Sequence, residues 1–396
     1  MKDTWRFDGN ELRYLQQVLE SGEVAGMSGV ANNNFERKFA KLTGANYGIT
    51  FNSGTSTLHA ALHALNVARG DEVIMPALTV IANLHVALAQ GAIPVFADVS
   101  PDDFNIDPTD LEKKISDKTK AIMVVPLYGN PCRYDEIKKI SNKYQIPVIN
   151  DAAQAPMSRY NGTDIAKLFD ITSFSFDATK HMSTGDGGMI TTLKEDTATK
   201  IRKFGCLGYK SLEASEGRVR NNKDLFQDPE YSRHDDVGLN YRMSEFQAAV
   251  GLAQLEKLAS FVRLRCDIAN EYMSVVKSCE FLLPQKVEKQ AEHSYWTFVC
   301  RFVHEDVTWQ SFRRAFIENG GSGIYAAWKL LYQEEVFLNQ SWKNADPELY
   351  SNYKVQRCHS AELIQPQLMQ FPLNDSCIDD AMINVDALRK TIKDFS

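Results

Sequence analysis

Residues 119–151 read TKAIMVVPLYGNPCRYDEIKKISNKYQIPVIND. The opening TKAIMVVPL is an apolar run that stops at a Pro/Gly/Asn cluster. RYDEIKKISNKYQ is amphipathic, and IPVIND is a second apolar run ending on an acid. Strand, helix and strand in succession make a βαβ unit, the building block of a parallel sheet with helices on its faces. Upstream the pattern repeats. YGITF is followed by TSTLHAALHAL, EVIMP by TVIANLHVALAQ, and IPVFADV by PTDLEKKI. Downstream, ITSFSFDATK…GDGGMITT departs from it, with two short strands flanking a glycine turn and no helix between them.

From Ser244 to Ser278 the chain keeps helical spacing without a break, a length that bridges parts of a fold. Beyond it SYWTFVCRF reads as a strand and TWQSFRRAFIENGG as a helix closing at glycine. The expected architecture is α/β: a large domain over residues 1–255, with a mostly parallel sheet flanked by helices, then a smaller α+β domain over 256–396. The polar stretch 209–236 is expected to form a long, lid-like loop on the large domain. No internal repeat or low-complexity tract is present.

Composition narrows the function classes. A net charge of −7 disfavours nucleic-acid and membrane-surface binding, which need a basic face. The seven cysteines are scattered, with no CxxC pair, so neither a disulfide framework nor a zinc site is expected. The N-terminal MKDTWRFDGNELRYL lacks the apolar core of a signal peptide, and no run reaches membrane-spanning length. A cytoplasmic protein is the expectation.

Three motifs carry chemistry. In FNSGTSTLHAAL a strand ends at Phe51 and a helix starts near Thr55, with Ser53, Gly54, Thr55 and Ser56 between. Backbone N–H groups and the positive end of a helix dipole then meet at one spot, which suits a phosphate. Alone, this is equally an ordinary capped helix. Asp151 closes IPVIND, at a strand end where ligands of open α/β sheets bind, or else caps a helix. Lys180 precedes GDGG, whose glycines permit positive φ and close backbone approach. A lysine so fixed can form a Schiff base when its amine is kept neutral. Together the three fit pyridoxal phosphate, which needs a phosphate cradle, a carboxylate on its pyridine nitrogen and a lysine for its aldehyde. Elsewhere, His59 and His63 lack an acid or cysteine partner for a metal. DDFNID lacks the glycine and final glutamate of a calcium loop, and no metal is expected.

The chain also resembles the fold-type I aminotransferases of the DegT/DnrJ/EryC1/StrS group, which act on nucleotide-linked keto sugars. The resemblance runs from about Ser28 to Leu258 through NNNFERKFAKLTGANYGITFNSGTSTLHAAL, GDEVIMPALTVIANLHVAL, IPVFADVSPDDFNIDP, KTKAIMVVPLYGNP, VINDAAQA, SFDATKHMSTGDGG and GLNYRMSEFQAAVGLAQLEKL, and is thinner afterwards. It implies that Lys180 is the Schiff-base lysine and Asp151 the pyridinium partner. Gln154 lies near the ring hydroxyl, and Thr55, Ser56 and Ser175 bind phosphate beside Gly54. Asn240 reaches the phosphate of a neighbouring subunit, so that a homodimer shares its sites.

The chain departs from the family pattern at several positions. Val80 stands where many members carry a ring-stacking aromatic, so the cofactor ring is expected between Val80 and Ala153. Pro126 replaces a common histidine, the 209–236 loop is longer than usual, and GIYAAWKLLYQEE only loosely resembles the substrate-contacting segment. The substrate side is assigned to His181, Arg242, His293, Tyr295 and Tyr325. The implied activity is amino transfer from L-glutamate to a keto carbon, C4 favoured over C3, of a nucleotide-diphosphate-linked deoxy sugar in surface polysaccharide or glycoside biosynthesis. The alternatives are a sugar dehydratase of the same group, which carries histidine at the position of Lys180, and a non-catalytic regulatory homologue.

Overall fold

The structure is a computed structural model that describes residues 5–26, 29–215, 217 and 223–396. Seven strands form the main sheet: β1 Tyr47–Phe51, β2 Glu72–Pro76, β3 Ile93–Ala97, β4 Thr119–Val124, β5 Val148–Asp151, β6 Ile171–Ser175 and β7 Gly188–Thr192. Their spatial order is β1-β7-β6-β5-β4-β2-β3. The pairs β2/β3, β2/β4, β4/β5 and β5/β6 are parallel. Only β7 runs against its neighbours, pairing antiparallel with β6 and β1. This is the place where the sequence shows strands without an intervening helix.

Alternation along the strands divides the interior. Met75, Met123 and Ile149 face a core shared with the helices Gly54–Ala64 and Glu195–Gly205, through Leu58, Leu62 and Phe204. Ile74, Ile122 and Val148 face the other core, with Phe35 and Phe39 of Val30–Thr43 and Ile137 of Tyr134–Tyr144. Both faces are covered, so β2, β3 and β4 carry near-continuous apolar runs, VIMP, IPVFA and AIMV, rather than alternating with polar residues.

The helix Glu245–Val276 starts at a capping box, in which Ser244 and Gln247 exchange side-chain and backbone hydrogen bonds. Its first half packs Ala248, Ala249 and Leu252 into the core of the main sheet. Its second half packs Ile268, Tyr272 and Val276 beneath a second, antiparallel sheet. That sheet comprises β8 Leu282–Pro284, β9 Thr297–Phe302, β10 Tyr325–Ala326 and β11 Leu368–Pro372, in the order β8-β9-β11-β10. The expected domain boundary at residue 255 thus falls inside one continuous helix. The chain after β10 also returns to the first core. Tyr332 and Phe337 pack on Phe96, and the Tyr350 hydroxyl donates to the Ala92 carbonyl at 3.0 Å. This return holds Trp328 beside the carboxyl ends of the main sheet.

Residues 216 and 218–222 of the 209–236 loop lie outside the described residues. The described remainder folds back on the segment after Glu195–Gly205. Tyr209 bridges His234, and Leu212 is buried with Cys206. The seven cysteines form no disulfide. Among the described residues no helix is long and apolar enough to cross a membrane.

Candidate active site

Three strand ends converge. β5 ends on Asp151, β6 on Ser175 and β1 on Phe51, after which Asn52 and Ser53 lead into the helix Gly54–Ala64. Ser53 caps that helix, its hydroxyl oxygen accepting from the Ser56 N–H at 3.1 Å. The Ser56 hydroxyl turns into the same cap and donates to Asn52 Oδ1 at 2.5 Å. The backbone N–H groups of Gly54 and Thr55 therefore form the positive end of the helix. A Cβ on Gly54 would lie 2.8 Å from Ser175 Cβ, so only glycine lets β6 end this close to the helix start.

Lys180 sits in the connection from β6 to β7. Asp177 shapes that connection, accepting from the Thr179 N–H at 2.9 Å and the Thr179 hydroxyl at 2.6 Å. Arg6 holds it from outside, its guanidinium donating to the carbonyls of Ala178 at 2.7 Å, Lys180 at 2.5 Å and His181 at 3.4 Å. Burial pushes the Lys180 amine below the usual lysine range. Asp151 and Asp177 oppose that shift, and the Arg265 charge adds to it. The amine is turned inward and its pKa is lowered.

Asp151 is 1% exposed and accepts from Asn83 Nδ2 at 3.0 Å and the Ala153 N–H at 3.2 Å. Burial raises its carboxyl, while Asn83, the Ala153 N–H and the Lys180 charge pull it down. Among the described residues no lysine or arginine forms an ion pair with it within 4 Å. A buried carboxylate held only by neutral donors is a costly arrangement that a cationic partner would relieve.

A cavity of about 490 Å³ joins these features. Gly54, Thr55, Val80, Asp151, Ala153, Ser175 and Lys180 all line it. The other sequence-assigned residues lie elsewhere. Ser56 lines an adjoining cavity with His59 and Tyr241. Gln154 is buried, its Oε1 accepting from the Tyr128 N–H at 2.6 Å. Asn240 is exposed, in an isolated bridge to Cys206.

The residues assigned to the substrate side lie apart from this cavity. His181 is fully buried and turned inward, with Nε2 2.9 Å from the Ser294 carbonyl. Its ring cannot meet a ligand in the cavity. Arg242 lies beside Cys206 in a separate small cavity. His293 and Tyr295 stack on each other at 3.7 Å, and the His293 ring is spent on Gln285 and the Tyr295 N–H. Tyr325 is exposed and lines a second cavity next to the first. The loop 209–236 contributes no described residue to the 490 Å³ cavity. Lining residues missed in the sequence include Asp177, Asp186, Trp296 and Trp328. The two tryptophans belong to the segments SYWTFVCRF and GIYAAWKLLYQEE. No local periodicity marks which tryptophan will face a ligand.

The donor set fits pyridoxal phosphate: a helix start for its phosphate, a buried carboxylate lacking a cation for its pyridine nitrogen, and a depressed amine for its aldehyde. The fold and the site define a fold-type I pyridoxal-phosphate enzyme. A family model of the DegT/DnrJ/EryC1/StrS aminotransferases matches residues 6–388, and the chain belongs to that family. It is 37% identical over 297 residues to the GDP-perosamine synthase of Caulobacter vibrioides, covering 75% of each chain. It is 34% identical over 291 residues to the spore coat polysaccharide biosynthesis protein SpsC of Bacillus subtilis, covering 74% of this chain and 72% of that one. The solved structure of NtdA from Bacillus subtilis, with bound cofactor PMP, superposes with a TM-score of 0.81 at 27% identity, over 97% of this chain and 81% of that one. The protein is a pyridoxal-phosphate-dependent sugar aminotransferase.

Proposed function

We propose that the protein moves the amino group of L-glutamate to a keto carbon, C4 favoured over C3, of a nucleotide-diphosphate-linked deoxy sugar, for surface polysaccharide or glycoside synthesis. The observation that carries this reading is the single cavity holding both the Lys180 amine and the Asp151 carboxylate. The relatives named GDP-perosamine synthase and spore coat polysaccharide biosynthesis protein support a nucleotide-linked sugar and a polysaccharide destination.

Gly54, Thr55 and Ser175 would hold the cofactor's phosphate, and Val80 and Ala153 would flank its ring, with Asp151 at the ring nitrogen. Bound there, the cofactor supplies an electron sink for charge that develops at the substrate carbon. The chain's own residues do the rest. The Asp151 carboxylate, which burial disfavours as an anion and which Asn83 and the Ala153 N–H hold in place, would gain its cationic partner in the protonated ring nitrogen. The Lys180 amine, depressed by burial, is available as a base and carries a proton between donor and acceptor positions. Asp177 and Arg6 fix the backbone from which Lys180 reaches. We also assign a homodimer with shared sites. Asn240, exposed and not lining its own chain's cavity, then serves the phosphate site of the neighbouring copy.

The test is an assay of purified, cofactor-loaded protein with glutamate against a panel of nucleotide-linked 3-keto and 4-keto sugars, with products read by mass. An amino sugar formed from one class and requiring glutamate is expected. Failure with every keto sugar, while glutamate still reacts, would remove the substrate reading.

A further inference from the structure

Two tryptophans on the cavity wall have no part in the chemistry above. Trp296 directly precedes β9, and Trp328 follows β10. Their rings stack at 5.7 Å with planes 16° apart. Tyr128 lies nearly parallel to both, at 6.5 Å and 3° from Trp296 and at 6.4 Å and 15° from Trp328. The grouping is held firmly. Tyr128 is fully buried with φ of +64°, a left-handed conformation that is strained for a bulky side chain. Its N–H donates to Gln154, and its carbonyl accepts from the Trp296 N–H at 2.7 Å. Arg265 donates to the Trp296 carbonyl at 2.6 Å, and Trp296 Nε1 donates to the Thr179 carbonyl at 3.0 Å.

The two indoles face two cavities at once. One is the cavity of Lys180 and Asp151. The other, about 400 Å³, is lined by Thr179, Tyr325 and Gln370. Lys180 Nζ stands 4.8 Å from the centre of the Trp296 ring. Whatever rests on this platform is therefore beside the reacting amine.

We propose that Trp296 and Trp328 are the seat of the substrate's sugar ring, which stacks the apolar C–H face of its pyranose on the indoles. The inference rests on the reading above, that the acceptor is a nucleotide-linked keto sugar. The Lys180 distance selects the sugar over the base. The carbon that receives the amine belongs to the sugar, whereas the base is separated from it by a diphosphate and a ribose. Aromatic faces bury apolar surface with little loss of side-chain freedom, and a deoxy carbon enlarges the apolar face they meet. Glutamate, small and doubly anionic, gains little from an indole face. The platform thus separates the two substrates of one site by chemistry.

The two half-reactions test this separately. Trp328 is the residue to change, because Trp296 also contacts Lys180. For Trp328→Ala, the KM for the keto sugar should rise about tenfold or more, while cofactor conversion by glutamate, followed by absorbance, stays within about threefold of wild type. Trp328→Phe keeps an aromatic face and should recover most of the loss. Independently, the nucleotide-linked amino sugar should quench indole fluorescence in the wild type more than the free nucleoside diphosphate does, and that difference should shrink in Trp328→Ala. Equal losses in both half-reactions would overturn the proposal, because the platform then supports the cofactor or the fold. An unchanged sugar KM in a wild-type-like background would overturn it too. If wild-type protein reacts with glutamate but with no keto sugar, the earlier reading falls and takes this one with it.

Discussion

The cavity has two walls of different ancestry in the chain. One is made of strand ends and the turns after them: Gly54–Thr55, Val80, Asp151–Ala153, Ser175 and Lys180. Each belongs to a βα or ββ turn of the main sheet. The other wall is Trp296 and Trp328, which arrive from the second sheet and from a segment that returns to the first core. The first wall is fixed by connectivity within single supersecondary units. The second exists only once the helix Glu245–Val276 has carried the chain across and Tyr332, Phe337 and Tyr350 have docked on the main sheet. In the proposed reading, cofactor chemistry sits on the locally encoded wall, and substrate choice falls to the wall that tertiary packing assembles.

The contrast breaks most sharply at Lys180. Lys180→Ala should lower transamination by a factor on the order of 10⁴ or more, since it removes the group that carries the proton. Borohydride reduction of the loaded wild type should leave the pyridoxyl label on Lys180 in a peptide map. A label on any other lysine would place the cofactor against a different wall.

Asp151→Asn comes next. The amide keeps the shape and cannot hold a ring nitrogen protonated, so turnover should fall on the order of 10²-fold or more. Stability should move the other way. Burial raises the folded-state carboxyl above its usual value. The folded protein thus binds this proton more tightly than the unfolded chain, and that contribution is lost as pH rises through the folded value. At neutral pH, without cofactor, the asparagine variant should melt no lower than wild type. A clear drop in its melting temperature would make Asp151 a structural residue.

The shared-site assignment is tested by mixing two inactive variants, Lys180→Ala and Asn240→Asp, the second setting a negative charge against the phosphate. If sites are shared, a mixed dimer has one site with both defects and one with neither. Activity should return on subunit exchange, toward one working site per mixed dimer. If mass measurement shows exchange and no activity appears, Asn240 serves its own chain or no site at all.

Legibility in the sequence follows the same division. The alternation of strands and helices, the missing helix before β7 and the long helix from Ser244 were all readable, because each rests on periodicity or a turn signal. So were Gly54 and Thr55 at a helix start and Asp151 at a strand end, while Lys180 lies in the connection beyond the end of β6. His181, His293 and Arg242 look like ligand residues by type, but no local pattern shows which way a side chain turns. His181 turns to the Ser294 carbonyl. Arg6 was likewise invisible, since its three acceptors lie more than 170 residues away.

Arg6 ties the N-terminal segment to the locally encoded wall, and its removal should cost less than that of Lys180 or Asp151. Arg6→Ala leaves three backbone carbonyls of the lysine connection without their donor. Turnover should fall about tenfold through misplacement of Lys180, with the KM for glutamate little changed. Arg6→Lys should rescue poorly, because one ammonium cannot serve three carbonyls as a planar guanidinium does. Full rescue by lysine would show that only the charge matters.

The smallest effect expected concerns Lys180 in the protein without cofactor. Burial holds its amine below the usual value of 10.5. The unfolded chain therefore binds this proton more tightly than the folded protein, which is a penalty on folding. The penalty is fully present at pH values below the folded pKa and fades as pH rises toward the unfolded value. Lys180→Met keeps the length of the side chain and removes the charge. At pH 7 the cofactor-free variant should melt about 2–4 °C above cofactor-free wild type, and the gap should narrow as pH approaches 10. Comparing two variants at each pH cancels the titration of every other group. Loaded with cofactor the order should reverse, because only the wild type gains the full stabilisation of a tightly held ligand. A wild type that is equally or more stable at pH 7 without cofactor would mean that the amine pays no burial cost, and the reactivity assigned to it would need another source.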